Sequence, residues 1–137
     1  MAHIRKEAHV DAAPGEVWAA LRDVGAIHTR LARGFVTDTK LEGDTRLVRF
    51  VNGIVARERI IDIDDGKRRL AYSVVEGRPT YHHATFEVFA EGAGSRLVWI
   101  ADLLPEELKP AVEQMMEAGM AAMKATLERK PGEEAAS

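Results

Sequence analysis

The 137-residue sequence contains no cysteine. That absence removes thiol nucleophiles, thiolate zinc sites and disulfide staples together, and it suits a reducing compartment. An excess of basic charge is also missing, since 19 Lys and Arg against 22 Asp and Glu leave a formal net charge of −3. Phosphate backbones are met by a basic footprint, so nucleic acid is not an expected partner. No stretch approaches the ~20 apolar residues of a membrane span. The opening Met1-Ala2-His3-Ile4-Arg5-Lys6-Glu7 carries charge where a signal peptide needs an apolar run. The expectation is a cytoplasmic chain without membrane insertion. A phosphate-binding glycine loop, a zinc-binding helix motif and a serine elbow are absent too, and with them the usual marks of nucleotide, zinc-protease and serine-hydrolase chemistry. No cofactor and no metal are expected.

What is present suffices for one domain. At 46% hydrophobic and 30% charged, a chain of this length can bury roughly two-thirds of its unfolded surface without staples. Residues 1–130 are expected to form a single domain and 131–137 a flexible tail.

From His3 to Asp11 the sequence alternates Ile4, Ala8 and Val10 with His3, Arg5, Glu7 and His9, the pattern of a half-buried strand. Pro14 then stands at the first position of a short helix carrying Val17, Trp18 and Leu21 on one face. Asp23-Val24-Gly25 breaks it, and Ala26 to Arg33 reads as a second short helix stopped by Gly34. Between Phe35 and Leu104 six apolar runs are separated by Glu42-Gly43-Asp44, Asn52-Gly53, Asp64-Asp65-Gly66, Gly77-Arg78-Pro79 and Gly92-Ala93-Gly94, all turn chemistry. Turns this short join antiparallel neighbours. Counting the first, seven strands in a meander are predicted. From Pro105 to about Arg129, Leu108, Val112, Met115, Met116, Gly119, Met120, Met123 and Leu127 recur at spacings of three and four, predicting an amphipathic helix about 36 Å long.

An antiparallel sheet that must bury the stripe of one long helix curls around it, and two short helices close an end. The predicted fold is α+β, a helix grip of a curved seven-stranded sheet around a long C-terminal helix. This order, with Ala12-Ala13-Pro14 and Val17-Trp18, the stretch Glu58-Arg59-Ile60-Ile61-Asp62-Ile63-Asp64-Asp65, Tyr72 with Gly77, and Trp99 followed by Pro105, resembles the START/Bet v1-like (SRPBCC) superfamily and its polyketide cyclase/dehydrase-like branch. The resemblance runs from Ile4 to Leu127. It implies a cavity for a small hydrophobic or amphipathic ligand.

Register decides which side chains face that cavity. A three-residue connection at Asp64-Asp65-Gly66, with Gly66 left-handed, opposes Ile60 to Leu70, Glu58 to Tyr72 and Ala56 to Val74, all inward. The alternative two-residue turn sends Arg57 and Arg59 inward without partners. At Asn52-Gly53 a two-residue turn turns Arg49 inward, whereas a longer loop puts Val48 and Phe50 inside. The inward set adopted is the one containing Val48 and Phe50.

Glu58 is then a carboxylate among apolar neighbours, either an acid–base group or ligand acceptor, or else a surface residue paired with Arg57, Arg59 or Arg69. The resemblance to abscisic acid receptors implies that this position faces a ligand. Tyr72 is either its hydroxyl partner or a core aromatic. His82 and His83 point to opposite faces and cannot clamp one metal. His82 shares parity with Ala84, Phe86 and Val88 and is the inward candidate. Trp99 shares a face with Leu97, Ala101 and Leu103, as a pocket wall or core. Met115, Met116, Met120 and Met123 give the helix an adaptable face, as pocket or as packing. His28 is expected in solvent, and His3 and His9 on the polar face of the first strand.

Three functions fit these residues. One is a binding protein in which Ala56, Ile60, Val74 and the residues above surround a ligand oriented by Glu58, Tyr72 and His82. Another is a cyclase or dehydratase with Glu58 or His82 as base and Tyr72 as oxyanion partner. The third is a homodimeric module using the outward-facing Val98 and Ile100. Fold alone does not choose among them.

Overall fold

The computed structural model describes residues 1–129; the tail expected at 131–137 lies outside the described residues. The strands are β1 (Ala2–Val10), β2 (Val36–Glu42), β3 (Thr45–Phe50), β4 (Val55–Asp64), β5 (Arg69–Glu76), β6 (Tyr81–Glu91) and β7 (Gly94–Leu104). All pair antiparallel in one sheet of order β1-β7-β6-β5-β4-β3-β2. The meander therefore holds for β2 to β7 but not for β1. The two helical segments after β1 carry the chain across the sheet, and β1 completes the far edge beside β7, with Ile4 opposite Ala101 and Ala8 opposite Leu97.

Helix α1 (Pro14–Arg22) begins with Pro14 in its first turn and buries Val17, Trp18, Ala20 and Leu21. Its outer end is pinned to the β4–β5 loop. The Trp18 indole N–H and the Arg22 Nε–H both donate to Asp65 Oδ1 at 2.8 Å. The Arg22 bond, then that of Trp18, holds the Asp65 carboxyl below the usual carboxylate range. The second short helix is a five-residue π-helical turn, Ile27–Leu31, burying Ile27 and Leu31. Gly34 follows with φ of 84°, a left-handed conformation that glycine adopts without strain.

The long helix is shorter than its apolar spacing predicts. A 3₁₀ turn, Glu106–Leu108, precedes α2 (Lys109–Leu127), whose 19 residues span about 28 Å. It buries Met116, Gly119, Met120 and Met123 toward the sheet. Gly119 lies close against two rings, because a Cβ there would stand 3.1 Å from Trp99 Cζ3 and 3.2 Å from Phe35 Cε2. Two places along α2 are tied to β1: Lys6 pairs with Glu117 at 2.8 Å and Glu113 at 3.2 Å, and Lys124 Nζ donates to the His9 carbonyl at 2.7 Å.

Two turns set the inward faces. After β3 the loop is Val51-Asn52-Gly53, closed by the Phe50 N–H donating to the Ile54 carbonyl, with Gly53 at φ 88°. This is the longer connection, and it turns Val48 and Phe50 inward: Val48 is 1% exposed and Phe50 packs against the core. The β4–β5 connection differs from expectation. Asp64 pairs Arg69 around a four-residue loop whose left-handed residue is Arg68, not Gly66. An irregularity at Ile61 absorbs the change, so Glu58 stands opposite Val74 and Ile60 opposite Tyr72. The partners shift by two residues while the faces are kept, because a slip of two preserves the pleat.

On the outer face Val98 is already 3% exposed within the single chain, so it offers a second copy almost no surface. His3 and His9 stand there against Asp102 and Glu91, each at 2.7 Å. His28 is half-buried, contrary to the solvent position expected of it.

Candidate functional site

A hollow of about 640 Å³ lies between α2, the π-helical turn and the concave face of β2 to β7. Exposed lining residues, Asn52, Ile54, Val55, Glu76 and Arg78, mark where it meets solvent. The opening follows from the way β5 and β6 part. Their ladder ends at Tyr72 and Ala84. Past that point the Val74 N–H donates to His82 Nδ1 at 3.0 Å, and the Ser73 hydroxyl donates to the His82 carbonyl. A side chain thus replaces the backbone partner, and the strands splay into the Gly77-Arg78-Pro79 loop.

Most sequence-predicted site residues line this hollow: Val48, Phe50, Ala56 and Glu58 from β3 and β4, Tyr72, Val74, His82 and Phe86 from β5 and β6. Trp99, Met115, Met116 and Met123 complete that group. Four others do not line it. Leu97 and Ala84 are 0% and 1% exposed inside the packed core, Met120 is 6% exposed beneath α2, and Ile60 is half-buried beside that core. They share the inward parity of the lining residues, but lie in or against the packed core. Parity reports a face and not whether the space above it is filled.

The polar centre contains a residue that sequence reasoning passed over. Arg46 shares the parity of Val48 and Phe50, and its side chain is 3% exposed. Its Nε–H donates to Glu58 Oε1 at 2.9 Å, and Nη1 donates to the Val24 carbonyl at 3.3 Å. Glu58 is therefore inward but paired, and its partner is none of Arg57, Arg59 or Arg69. The alternation of β3 carried the signal. Arg46 Nη2 and Glu58 Oε2 have no hydrogen-bond partner among the described residues.

Aromatic rings form the wall beside this pair. Arg46 lies over Tyr72, its guanidinium carbon 5.3 Å from the ring centroid. Tyr72 stacks on Phe86 at 6.0 Å and Phe86 on Trp99 at 4.6 Å. The Trp99 indole N–H donates to the Tyr72 hydroxyl oxygen at 3.1 Å, which leaves the phenolic proton free to point elsewhere. Burial, and then the Glu58 charge, push the Tyr72 phenol well above its ordinary value, so it stays protonated. His82 is moved the other way: burial, and then His83, lower it to about 4. It is a neutral imidazole at pH 7. Since Nδ1 accepts the Val74 N–H, the ring proton resides on Nε2.

The comparisons agree with this architecture. A search of curated proteins found no match. Among solved structures, the protein XoxI from Bacillus cereus superposes with a TM-score of 0.82 at 20% identity, covering 93% of this chain and 96% of that one. The di-domain ARO/CYC protein BexL from the BE-7585A biosynthetic pathway superposes with a TM-score of 0.77 at 17% identity, over 93% of this chain and 47% of that one. Ara h 8.0201, a Bet v1 allergen, gives 0.71 at 15% identity, over 92% and 97%. At these identities the likeness establishes the Bet v1-like fold. The family model described as polyketide cyclase/dehydrase and lipid transport matches residues 1–128, and the chain belongs to that family.

Proposed function

We propose that this protein binds a small apolar or amphipathic molecule in the hollow between α2 and the sheet. The observation that carries the reading is the hollow itself: about 640 Å³, walled by Phe50, Phe86, Trp99 and methionines, with Arg46, Glu58, Tyr72 and His82 converging on it. That size and that mix of apolar surface with a few directed polar groups are what a small-molecule site requires. The methionine thioethers of α2 adapt to differing ligand shapes at low cost.

A cyclase- or dehydratase-like reaction is the second reading, favoured by the Tyr72 hydroxyl, which is held protonated beside the polar pair and is suited to donate to a developing oxyanion. Its base is the weaker part. His82, lowered to about 4, is a poor proton acceptor at neutral pH, and Glu58 is already engaged by Arg46. Binding is therefore the preferred reading. Native mass spectrometry of the full chain purified from its own host tests it: a stoichiometric retained small molecule is expected. A ligand-free mass, together with no uptake of apolar probes, would refute it.

A further inference from the structure

The charges that line the hollow cancel. Arg46 and Glu58 form one opposed pair at its centre, and Arg78 and Glu76 supply one charge of each sign at the mouth. His82 adds none at neutral pH. An ionised headgroup entering this space would lose its hydration and find no net opposite charge in exchange, which is strongly unfavourable. A neutral apolar body loses little on entry. Its headgroup, however, meets two unfilled positions: Arg46 Nη2 offers N–H groups and Glu58 Oε2 offers lone pairs, both on side chains under one-tenth exposed, and neither has a protein partner among the described residues.

Only one rung of the guanidinium–carboxylate fork is made, Nε–H to Oε1 at 2.9 Å. A group completing the other side must accept from nitrogen and donate to oxygen at once. A carboxylate or phosphate ester dianion has no proton to give, an ammonium has no lone pair to accept with, and a ketone only accepts. A hydroxyl does both. Resting on the binding reading above, we infer that the hollow selects an uncharged ligand bearing a hydroxyl, an alcohol or a phenol, whose oxygen accepts from Arg46 Nη2 and whose proton goes to Glu58 Oε2. The Tyr72 hydroxyl and the His82 Nε2–H are further donors on the same wall, suited to a carbonyl elsewhere on the ligand.

Three naphthalenes of nearly one size separate the possibilities at pH 7: 2-naphthol, 2-methylnaphthalene and 2-naphthoate, each displacing the uncharged fluorophore N-phenyl-1-naphthylamine from the full chain. The wild type is expected to prefer 2-naphthol over 2-methylnaphthalene by about tenfold, the worth of hydrogen bonds to charged groups. It should bind 2-naphthoate at least tenfold more weakly than 2-naphthol. Glu58→Gln leaves one net positive charge in the hollow and is expected to reverse that order in favour of 2-naphthoate. The double variant Arg46→Met/Glu58→Gln is neutral again and does not depend on an unpaired buried charge for folding. It should lose the 2-naphthol advantage over 2-methylnaphthalene while still rejecting 2-naphthoate. Equal wild-type affinity for 2-naphthoate and 2-naphthol would overturn the inference, as would an undiminished 2-naphthol advantage in the double variant. Binding of N-phenyl-1-naphthylamine and 2-methylnaphthalene with no headgroup preference sinks only this inference. Binding of no probe at all sinks the binding reading with it.

Discussion

Breaking the Arg46–Glu58 pair from one side should cost far more than removing it whole. The two side chains are 3% and 8% exposed and meet at 2.9 Å across neighbouring strands, so either one left alone keeps most of its burial without its partner's charge. Removing one partner of a buried ion pair typically costs about 3–5 kcal/mol, because the survivor keeps its desolvation penalty without its compensating field. Arg46→Met also abandons the bond to the Val24 carbonyl and the stack on Tyr72, which places it at the upper end of that range. Glu58→Gln keeps the shape and an amide oxygen for the Arg46 Nε–H, which places it at the lower end. The double variant buries no charge and should recover about 2 kcal/mol or more relative to the sum of the singles. Urea denaturation of the four proteins, followed by far-ultraviolet circular dichroism, measures each cost. Singles costing under about 1 kcal/mol, or strictly additive effects, would show that the pair is hydrated and that the hollow has no buried polar centre.

Two further outcomes follow from the geometry. His82 carries a pKa lowered to about 4 against an ordinary 6.5, so the unfolded chain binds the extra proton between those values. Stability should be flat above pH 7 and fall as pH drops from 6.5 toward 4, by on the order of 3 kcal/mol. In His82→Asn, whose Oδ1 stands where Nδ1 accepts the Val74 N–H, chemical denaturation at pH 7 and pH 4.5 should show a visibly smaller difference; an unchanged pH slope would reject the assignment. Gly94→Ala places a Cβ 2.5 Å from the Val10 carbonyl oxygen at the β1–β7 end. Because that neighbour is backbone, a loss of about 1–3 kcal/mol is expected in thermal melts, and a melting point equal to wild type would contradict the close approach.

How far the fold could be read from residues alone depended on how local its causes are. Strand alternation and turn residues are properties of a few consecutive positions, so β2 to β7 and their antiparallel order were legible, as was Pro14 at the head of α1. The place of β1 was not, because its pairing with β7 joins residues such as Ile4 and Ala101 across almost the whole chain. The β4–β5 register was misread for a related reason: the irregularity at Ile61 and the left-handed Arg68 are accommodations to neighbouring strands, with no turn signature of their own.

The candidate site divides along the same line. Alternation combined with the turn registers chosen from the sequence placed Val48, Glu58, Tyr72, His82 and Trp99 on one face of the sheet, and the spacing of the methionines gave the helix stripe that covers it. Tertiary structure alone decided that Arg46 meets Glu58, since their contact exists only once β3 lies against β4 in a register with Arg46 opposite Glu58. It also decided where apolar residues fill space and where they surround it. Leu97, Ala84 and Met120 carry the same inward signal as Phe86 and Met116, yet the former are packed into the core away from the hollow. The splaying of β5 from β6 leaves the others around an open hollow. Periodicity orients a side chain, but the distance between two surfaces is set by every contact that holds them apart.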